Sequence, residues 1–304
     1  MVKLKEWGIF TLLGLIWGSS FLWIKIAVDD VHPFVLVTFR VLFGLIGLLI
    51  VMRWQRQSLP RDRRTILAFV FMGIFNTAIP FVLIAWGETQ IDSSLASILN
   101  GTVPLFTIIT AHFWLRDEKI TPPRLAGLIV GFVGVIVLVA RDFKPGGLQG
   151  NALGQLAVLL AAISYAVALT FSRRYLRGTK PVVQSTMILI VASAVMGVVT
   201  PVVERPIQLP TLPITWLALL WLGVMGLCVA YLLFFYLNNA WGPTRASLVT
   251  YVFPVVGVFL GIIFLNEKPD WNMAIGSALV VAGILVVNLK LRPKTKSVAA
   301  TAAE

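Results

Sequence analysis

Apolar stretches of about twenty residues recur along the whole chain of 304 residues and are separated by short polar links. At 1.5 Å per residue, a helix of this length crosses a hydrocarbon core of about 30 Å. The pattern therefore predicts an all-α membrane protein with ten transmembrane helices. The predicted spans are 7–28, 34–52, 66–87, 93–115, 124–140, 152–171, 182–203, 214–238, 244–265 and 271–289.

Composition excludes the other broad classes. Hydrophobic residues make up 58% of the chain, charged residues 12%, and the mean hydropathy is +0.91. A soluble domain of this size needs a more charged surface, and disordered segments are poor in apolar residues. The first apolar run follows Lys3 and Lys5 but lacks a cleavage site, so we interpret it as an uncleaved span.

The basic residues predict an orientation. With a cytoplasmic N-terminus, 19 of the 25 Lys and Arg residues lie in cytoplasmic links and tails, four lie outside and two lie within spans. This asymmetry favours ten spans with both termini cytoplasmic. The net charge of +12 is then a topological bias, and we expect no nucleic-acid partner.

The residues that usually carry catalysis or metals are scarce. Cys228 is the single cysteine, and His32 and His112 are the two histidines, eighty positions apart. Neither a thiolate zinc site nor a catalytic triad fits this set, and no zinc-protease motif occurs. We expect no catalytic residues, no metal and no cofactor, and hence no enzyme.

The two halves of the chain resemble each other. Placing residues 73–104 over 223–254 at a constant offset of 150 gives five identities in 32 positions. After one deletion, Glu118-Lys119 meets Glu267-Lys268, and a glycine stripe repeats. That stripe is Gly127, Gly131 and Gly134, with Gly276 and Gly283 in the second half, which indicates close helix packing. Because each half holds five spans, the second inserts upside down, as in many transporters. The predicted divisions are 1–145, an inverted repeat at 146–292 and a basic tail at 293–304.

Several motifs resemble one family. The first span reads Trp17-Gly18-Ser19-Ser20-Phe21 with Lys25 after it, the second carries Phe39-Arg40, and Ala96, Ser97 and Pro104 recur as Ala246, Ser247 and Pro254. The chain resembles the drug/metabolite transporter (DMT) superfamily, in its EamA-type ten-helix branch. Within that branch it is most similar to the bacterial aromatic amino acid exporters of the YddG type. The resemblance implies a multi-pass protein of the bacterial inner membrane.

A transport cavity should be lined by polar, small and aromatic residues on inner helix faces. The predicted substrate-binding residues are Trp17, Ser20, Ile24, Asn76, Pro80, Leu83, Trp86, Ser97, Asn100, Gly101, Tyr165, Ser247 and Tyr251. The alternative for each is helix packing alone. Pro80, Pro104 and Pro254 lie within spans, where each frees a carbonyl and permits either a gating kink or a static one.

Charged residues within the spans are few. Lys25 and Arg40 are the two cations, and we expect them to pair with Asp29 or Asp30 or to extend to the interface, in preference to binding a substrate carboxylate. No acid lies in the middle of a span, since Glu88 flanks an outer turn. A proton relay on a buried carboxylate therefore has no carrier.

The hypothesis from sequence is an exporter of amino acids, aromatic and other hydrophobic ones, that works by alternating access around a central cavity. The alternative is a carrier of another metabolite: a sugar phosphate, a nucleotide sugar or a cationic drug. The expected partners are the small-molecule substrate and the lipid bilayer. The oligomeric state stays open, and a monomer is compatible with the sequence.

Overall fold

The computed structural model describes residues 4–116, 118–140, 143–144, 147–148, 150–241 and 247–288. Most of these residues are helical. The two strands that occur among them are two residues long, and β1 (Phe143–Lys144) pairs antiparallel with β2 (Gly147–Leu148). The predicted basic tail, 293–304, lies outside the described residues.

Fourteen α-helices occur in the described part of the chain. They are α1 (Leu4–Gly18), α2 (Ser20–Val28), α3 (Pro33–Trp54), α4 (Arg63–Gly73), α5 (Ile79–Glu88), α6 (Ser93–Asn100), α7 (Val103–Trp114), α8 (Pro122–Ala140), α9 (Gly150–Tyr175), α10 (Pro181–Val203), α11 (Pro213–Leu220), α12 (Ala230–Trp241), α13 (Val252–Leu265) and α14 (Trp271–Asn288). Two π-helical segments join α4 to α5 (Ile74–Ala78) and α11 to α12 (Trp221–Val229). A 3-10 turn (Ser247–Tyr251) precedes α13.

Several of these helices join end to end into longer ones. Within the described residues, eight joined helices are long and apolar enough to cross a membrane. They are Leu4–Val28, Pro33–Trp54, Arg63–Glu88, Ser93–Trp114, Pro122–Ala140, Asn151–Tyr175, Pro181–Val203 and Pro213–Phe234. Two shorter apolar helices, Val249–Leu265 and Trp271–Val287, lie where the last two spans are predicted. The all-helical prediction is confirmed, and the ten-span arrangement stays a prediction.

Each of the three prolines predicted to permit a kink lies in the first turn of an α-helical stretch that follows an irregular segment. Pro80 is the second residue of α5, Pro104 the second of α7 and Pro254 the third of α13. Proline lacks an N–H and clashes with the carbonyl four residues earlier, but both costs vanish in the first turn of a helix. A π-helical, turn or 3-10 segment therefore precedes each one.

Glycines bring α8 and α14 into backbone contact. A Cβ added at Gly127 would lie 2.6 Å from the carbonyl oxygen of Gly283, and one at Gly134 would lie 2.7 Å from that of Gly276. No larger residue allows helix axes to approach so closely. The prediction that this stripe is structural is confirmed.

Apolar side chains fill the remaining helix interfaces. Phe69 and Met72 of α4 pack with Met187 of α10 in one cluster. Leu13 and Leu237 pack α1 against α12 in another. The helix pairs α1–α2 and α11–α12 also contact each other, so both belong to a single bundle.

Candidate functional site

Four aromatic residues meet inside the bundle. The Trp17 ring of α1 lies 6.3 Å from Tyr231, 5.6 Å from Phe234 and 5.7 Å from Phe253, measured between centroids. Its indole nitrogen donates to the Gly226 carbonyl in the second π-helical segment at 2.9 Å. We call Trp17, Tyr231, Phe234 and Phe253 the aromatic cluster. Its rings stand at angles to one another, which is a favoured arrangement for aromatic pairs.

The break between α1 and α2 is held against the same π-helical segment. The Trp221 indole nitrogen donates to the Ser19 hydroxyl at 3.1 Å. Ser20 is buried, and its hydroxyl donates to the Ile16 carbonyl at 3.4 Å. The Ser20 hydroxyl, which the sequence predicts to bind substrate, therefore forms a hydrogen bond to the preceding helix α1.

Several polar side chains lie next to the aromatic cluster. Arg40 of α3 is only 7% exposed, and its guanidinium carbon lies 4.0 Å from the centre of the Phe81 ring. It interacts electrostatically with Tyr165 and Tyr231, and the Tyr231 side chain is hydrogen bonded to Asn76. We call Arg40, Asn76, Tyr165 and Tyr231 the polar cluster. Tyr231 belongs to both clusters and joins them.

The predicted pairing of Lys25 and Arg40 with Asp29 or Asp30 is wrong within the described residues. The Lys25 ammonium donates to the carbonyls of Glu88, at 2.6 Å, and Ile91, at 2.9 Å. Asp30 instead accepts hydrogen bonds from Thr211 and from the Leu212 backbone. Arg40 is buried and forms no ion pair with any residue that the structure describes, Asp29 and Asp30 included.

Other predicted site residues serve packing. Ser97 is fully buried, donates to the Ser94 carbonyl at 2.7 Å and lies directly against Gly257. Gly101 faces Pro254, since a Cβ added there would lie 2.9 Å from the Pro254 ring. For Ser97 and Gly101, the geometry thus favours the packing alternative.

The remaining predicted residues have mixed surroundings. Ile24 and Pro80 are buried, while Leu83 and Tyr251 pack partly buried against the core. The Asn100 side-chain oxygen is buried and has no hydrogen-bond partner among the described residues. Trp86 is 37% exposed, so it is poorly placed for a central cavity. The Ser247 side chain lies outside the described residues.

Glu267 closes one end of the bundle. Its carboxylate accepts hydrogen bonds from the Ser93 backbone (2.8 Å), the Ser93 hydroxyl (2.7 Å), the Ser94 backbone (3.0 Å) and the Ser94 hydroxyl. It thereby caps the N-terminus of α6, where N–H groups lack helical partners. We call these three residues the Glu267 clasp, and beside it α6 meets Gly257 and Gly261 of α13.

Among the acidic residues that the structure describes, Glu88 is the one that is fully buried. It ends α5, as the sequence indicates, yet it has no exposed surface and neither carboxylate oxygen has a hydrogen-bond partner within the described chain. Lys25, Glu267 and Arg40 all interact with it electrostatically. Two ionisable side chains, Arg40 and Glu88, are therefore buried near each other, and neither the Arg40 Nε nor the Glu88 oxygens have a hydrogen-bond partner within the described chain.

Two cavities open at the opposite end of the bundle. One, of about 270 Å³, is lined by Gln55, Gln57, Lys180, Pro181, Val182, Leu232 and Tyr236. The other, of about 470 Å³, is lined by Phe113, Trp114, Leu115, Arg116, Lys119, Arg173, Arg174 and Arg177. No predicted site residue lines either cavity.

Glu118 lies beside the larger of these cavities. Its carboxylate accepts from Arg173 at 2.6 Å and from Arg124 at 2.9 Å. Although burial opposes ionisation, these two hydrogen bonds hold the pKa of Glu118 below its usual value. Glu118 is therefore an ion-pair partner of the surface arginines.

Sequence reasoning missed Tyr231, Phe234 and Phe253. One signal was available, because the offset of 150 places Tyr231 opposite Phe81. Both of these aromatic residues adjoin Arg40. Comparison of aromatic positions between the halves would therefore have pointed to the site.

The chain is similar to several proteins that are named as transporters. The chain is similar to the uncharacterized transporter YoaV of Bacillus subtilis, with 24% identity over 90% of this chain and 92% of that protein. It is also similar to an uncharacterized transporter of Archaeoglobus fulgidus, with 27% identity over 93% and 99%. For the uncharacterized inner membrane transporter YedA of Escherichia coli K12, identity is 28% over 94% and 91%.

The fold has also been observed in a crystal structure. That chain is 21% identical, and the match has a TM-score of 0.67 over 94% of this chain and 97% of the other. The profile of the EamA-like transporter family matches residues 6–140 and again 152–289. This chain is a member of the EamA-like transporter family of the DMT superfamily.

Proposed function

We propose that this membrane transporter exports amino acids, chiefly aromatic and other hydrophobic ones, across the inner membrane. The observation that carries the proposal is the junction of the aromatic and polar clusters at Tyr231. An apolar ring can pack against Trp17 and Phe253 while the charged end of the same molecule lies by Asn76 and Arg40. The name of YedA, an inner membrane transporter, supports the location.

The proposed architecture is ten spans in two inverted repeats, 1–145 and 146–292. Its support is the position of the interrupted helices, since the offset of 150 pairs the π-helical segment Ile74–Ala78 with residues inside Trp221–Val229. The turn after α6 likewise pairs with the 3-10 turn before α13. Irregular backbone within a membrane is tolerated where it is buried in protein or lines a cavity.

The proposed orientation has both termini in the cytoplasm. It follows from the excess of Lys and Arg in one set of links, to which the cavity with Arg173 and Arg174 belongs. The Glu267 clasp is then at the outer surface. The clasp holds α6 against α13, so this conformation is closed outside, and alternating access requires the clasp to open.

We further propose that transport does not depend on a proton carried by an intramembrane carboxylate. The spans hold no acid at mid-depth, and Glu88 lies at the helix end beside the Lys25 ammonium. A substrate gradient, or the membrane potential acting on a charged substrate, is then the driving force.

Counterflow in reconstituted liposomes tests the function. Liposomes are loaded with unlabelled phenylalanine, and uptake of labelled phenylalanine, threonine or a sugar phosphate is followed with and without a proton gradient. We expect phenylalanine flux that is independent of the gradient and reduced in Trp17→Leu. Leu209→Ala, an exposed position outside the clusters, serves as the control. Robust sugar-phosphate exchange without amino acid flux would overturn the proposal.

A carrier of a phosphorylated metabolite is the second candidate. The buried Arg40 without an ion-pair partner in the described chain favours an anionic substrate, and guanidinium groups bind phosphate well. Against it, the polar cluster holds one cation, while a phosphate ester carries up to two negative charges. The sugar-phosphate arm of the same assay decides between the two.

A further inference from the structure

Arg40 is a buried cation whose donors are not used by the rest of the described chain. The side chain is 7% exposed, and its Nε is enclosed without a hydrogen-bond partner among the described residues. A charge taken out of water is strongly disfavoured unless it is paired or hydrogen bonded. An arrangement of this kind therefore indicates a binding position for an anion.

Lys25 provides the contrast within the same protein. It is the other cation inside the spans, and its ammonium donates to two carbonyl oxygens, those of Glu88 and Ile91. Those bonds tie α2 to the end of α5, so Lys25 has a structural partner. Arg40 stacks on Phe81, but a ring face accepts no in-plane hydrogen bond from a guanidinium.

The neighbours of Arg40 leave its charge available. Tyr165 and Tyr231 are neutral, and the Tyr231 side chain is hydrogen bonded to Asn76. Glu88 is the acid that interacts with Arg40 electrostatically, yet the two form no ion pair and neither Glu88 oxygen is hydrogen bonded within the described chain. Glu88 therefore does not occupy the guanidinium of Arg40.

The position of Tyr231 between Arg40 and Trp17 indicates the shape of the ligand. This residue adjoins Arg40 on one side and the Trp17 ring on the other, with centroids 6.3 Å apart. A molecule that reaches both must carry an anion at one end and an apolar group a few bonds away. The planar fork of arginine matches a carboxylate with two parallel hydrogen bonds.

We propose that Arg40 binds the carboxylate of the transported molecule while the aromatic cluster holds its side chain. The inference rests on the proposed function and narrows its substrates to molecules with a free carboxylate. An amide or ester of the same side chain is excluded, because it offers the guanidinium no charge.

The test compares acids with their amides on the purified protein in detergent. Ligand binding is measured from the rise in unfolding temperature, followed by tryptophan fluorescence, for L-phenylalanine against L-phenylalaninamide and for 3-phenylpropionate against its amide. We expect wild type to bind each acid at least about tenfold more tightly than its amide. Arg40→Gln should remove this preference, while Arg124→Gln, the same change at the Glu118 ion pair, should keep it.

The outcomes separate the inference from the proposed function. An acid preference that survives in Arg40→Gln overturns the inference, and so does an equal loss in Arg124→Gln. If Arg40→Gln does not fold, Arg40→Lys replaces it. The preference should then weaken because lysine keeps the charge but loses the planar fork of two parallel hydrogen bonds; an unchanged preference refutes the inference.

Two further results concern the ligand class. Tighter binding of phenyl phosphate than of any carboxylate, dependent on Arg40, would overturn the carboxylate assignment. Arg40-dependent acid binding without amino acid counterflow would leave the inference standing and refute the proposed function. If the protein transports phenylalanine and phenylalaninamide equally well, the proposed function stands and the inference about Arg40 is refuted.

Discussion

In the proposed orientation, replacing Glu267 with glutamine should open the outer end of the bundle. The carboxylate accepts four hydrogen bonds from Ser93 and Ser94, and it is the cap that joins the start of α6 to the end of α13. Glutamine keeps one oxygen and replaces the other with an NH2 group. Each carboxylate oxygen accepts from two donors, a backbone N–H and a hydroxyl, and the NH2 group cannot accept from either of them. The variant therefore loses half of the clasp without leaving a cavity.

The size of the effect follows from the bonds that are lost. Hydrogen bonds to a charged group contribute about 1.5–3 kcal/mol each, and the partial exposure of Glu267 favours the lower value. Losing two of them weakens the outer-closed state by about 3 kcal/mol, which is roughly a 100-fold change in its equilibrium with an outer-open state.

Chemical labelling behind the clasp measures this change. Cys228 is replaced by serine, and Ser97, which is fully buried between α6 and Gly257, is replaced by cysteine as the reporter. A membrane-impermeant thiol reagent is added outside right-side-out vesicles. We expect Glu267→Gln to raise the labelling rate of the reporter by about 10- to 100-fold, in proportion to the outer-open population.

Asp270→Asn provides the matched control. Asp270 is another carboxylate that caps a helix, since its Oδ1 accepts from the Met273 backbone at 2.8 Å, but it lies outside the clasp. An unchanged labelling rate in Glu267→Gln would refute the assignment of the clasp as an outer gate. An equal increase in Asp270→Asn would show general loosening instead.

Three other predictions follow from the structure. Glu88→Gln should retain gradient-independent counterflow, as should Glu118→Gln; loss of flux in either folded variant would mean that a carboxyl group carries the proton. The Thr211 hydroxyl, with the Leu212 backbone, lowers the pKa of Asp30 from 3.8 to about 2, so its stabilising contribution is complete above pH 4 and is lost as pH falls to 2. Thermal unfolding should therefore depend less on pH in Asp30→Asn over that interval, and an identical acid response would contradict this. Gly283→Ala should destabilise the protein by about 3 kcal/mol or more, because its Cβ would overlap the α8 backbone, whereas Gly197→Ala, with open space around it, should not; equal unfolding temperatures would count against this packing.

The positions of the helices were readable from sequence because hydrophobic runs and span length follow from the bilayer itself. The last predicted span, 271–289, differs by one residue from α14 (Trp271–Asn288). The glycine stripe was readable for a similar reason, since small residues at regular spacing have one common use in membranes.

The interruptions and the partners of charged residues were not readable. Whether a proline bends a helix or begins a new one depends on whether neighbouring groups donate hydrogen bonds to the freed carbonyls. The Phe75 carbonyl is satisfied by the Ser164 hydroxyl at 2.6 Å, and that serine comes from α9. Lys25 likewise finds carbonyls 63 and 66 positions away. Such contacts depend on tertiary arrangement, which a single sequence does not display.

The π-helical segment Trp221–Val229 gives the bundle a rotational degree of freedom. A π-helical turn holds about one more residue than an α-helical turn, so rewinding one such turn of this segment as α-helix would rotate α12 about its own axis by on the order of 100°. Tyr231 lies two residues beyond the segment and would turn away from Trp17 and Arg40 together. The contact between the aromatic and polar clusters thus depends on the winding of this segment. Rotation of α12 about its own axis would separate the two clusters without any hinge motion.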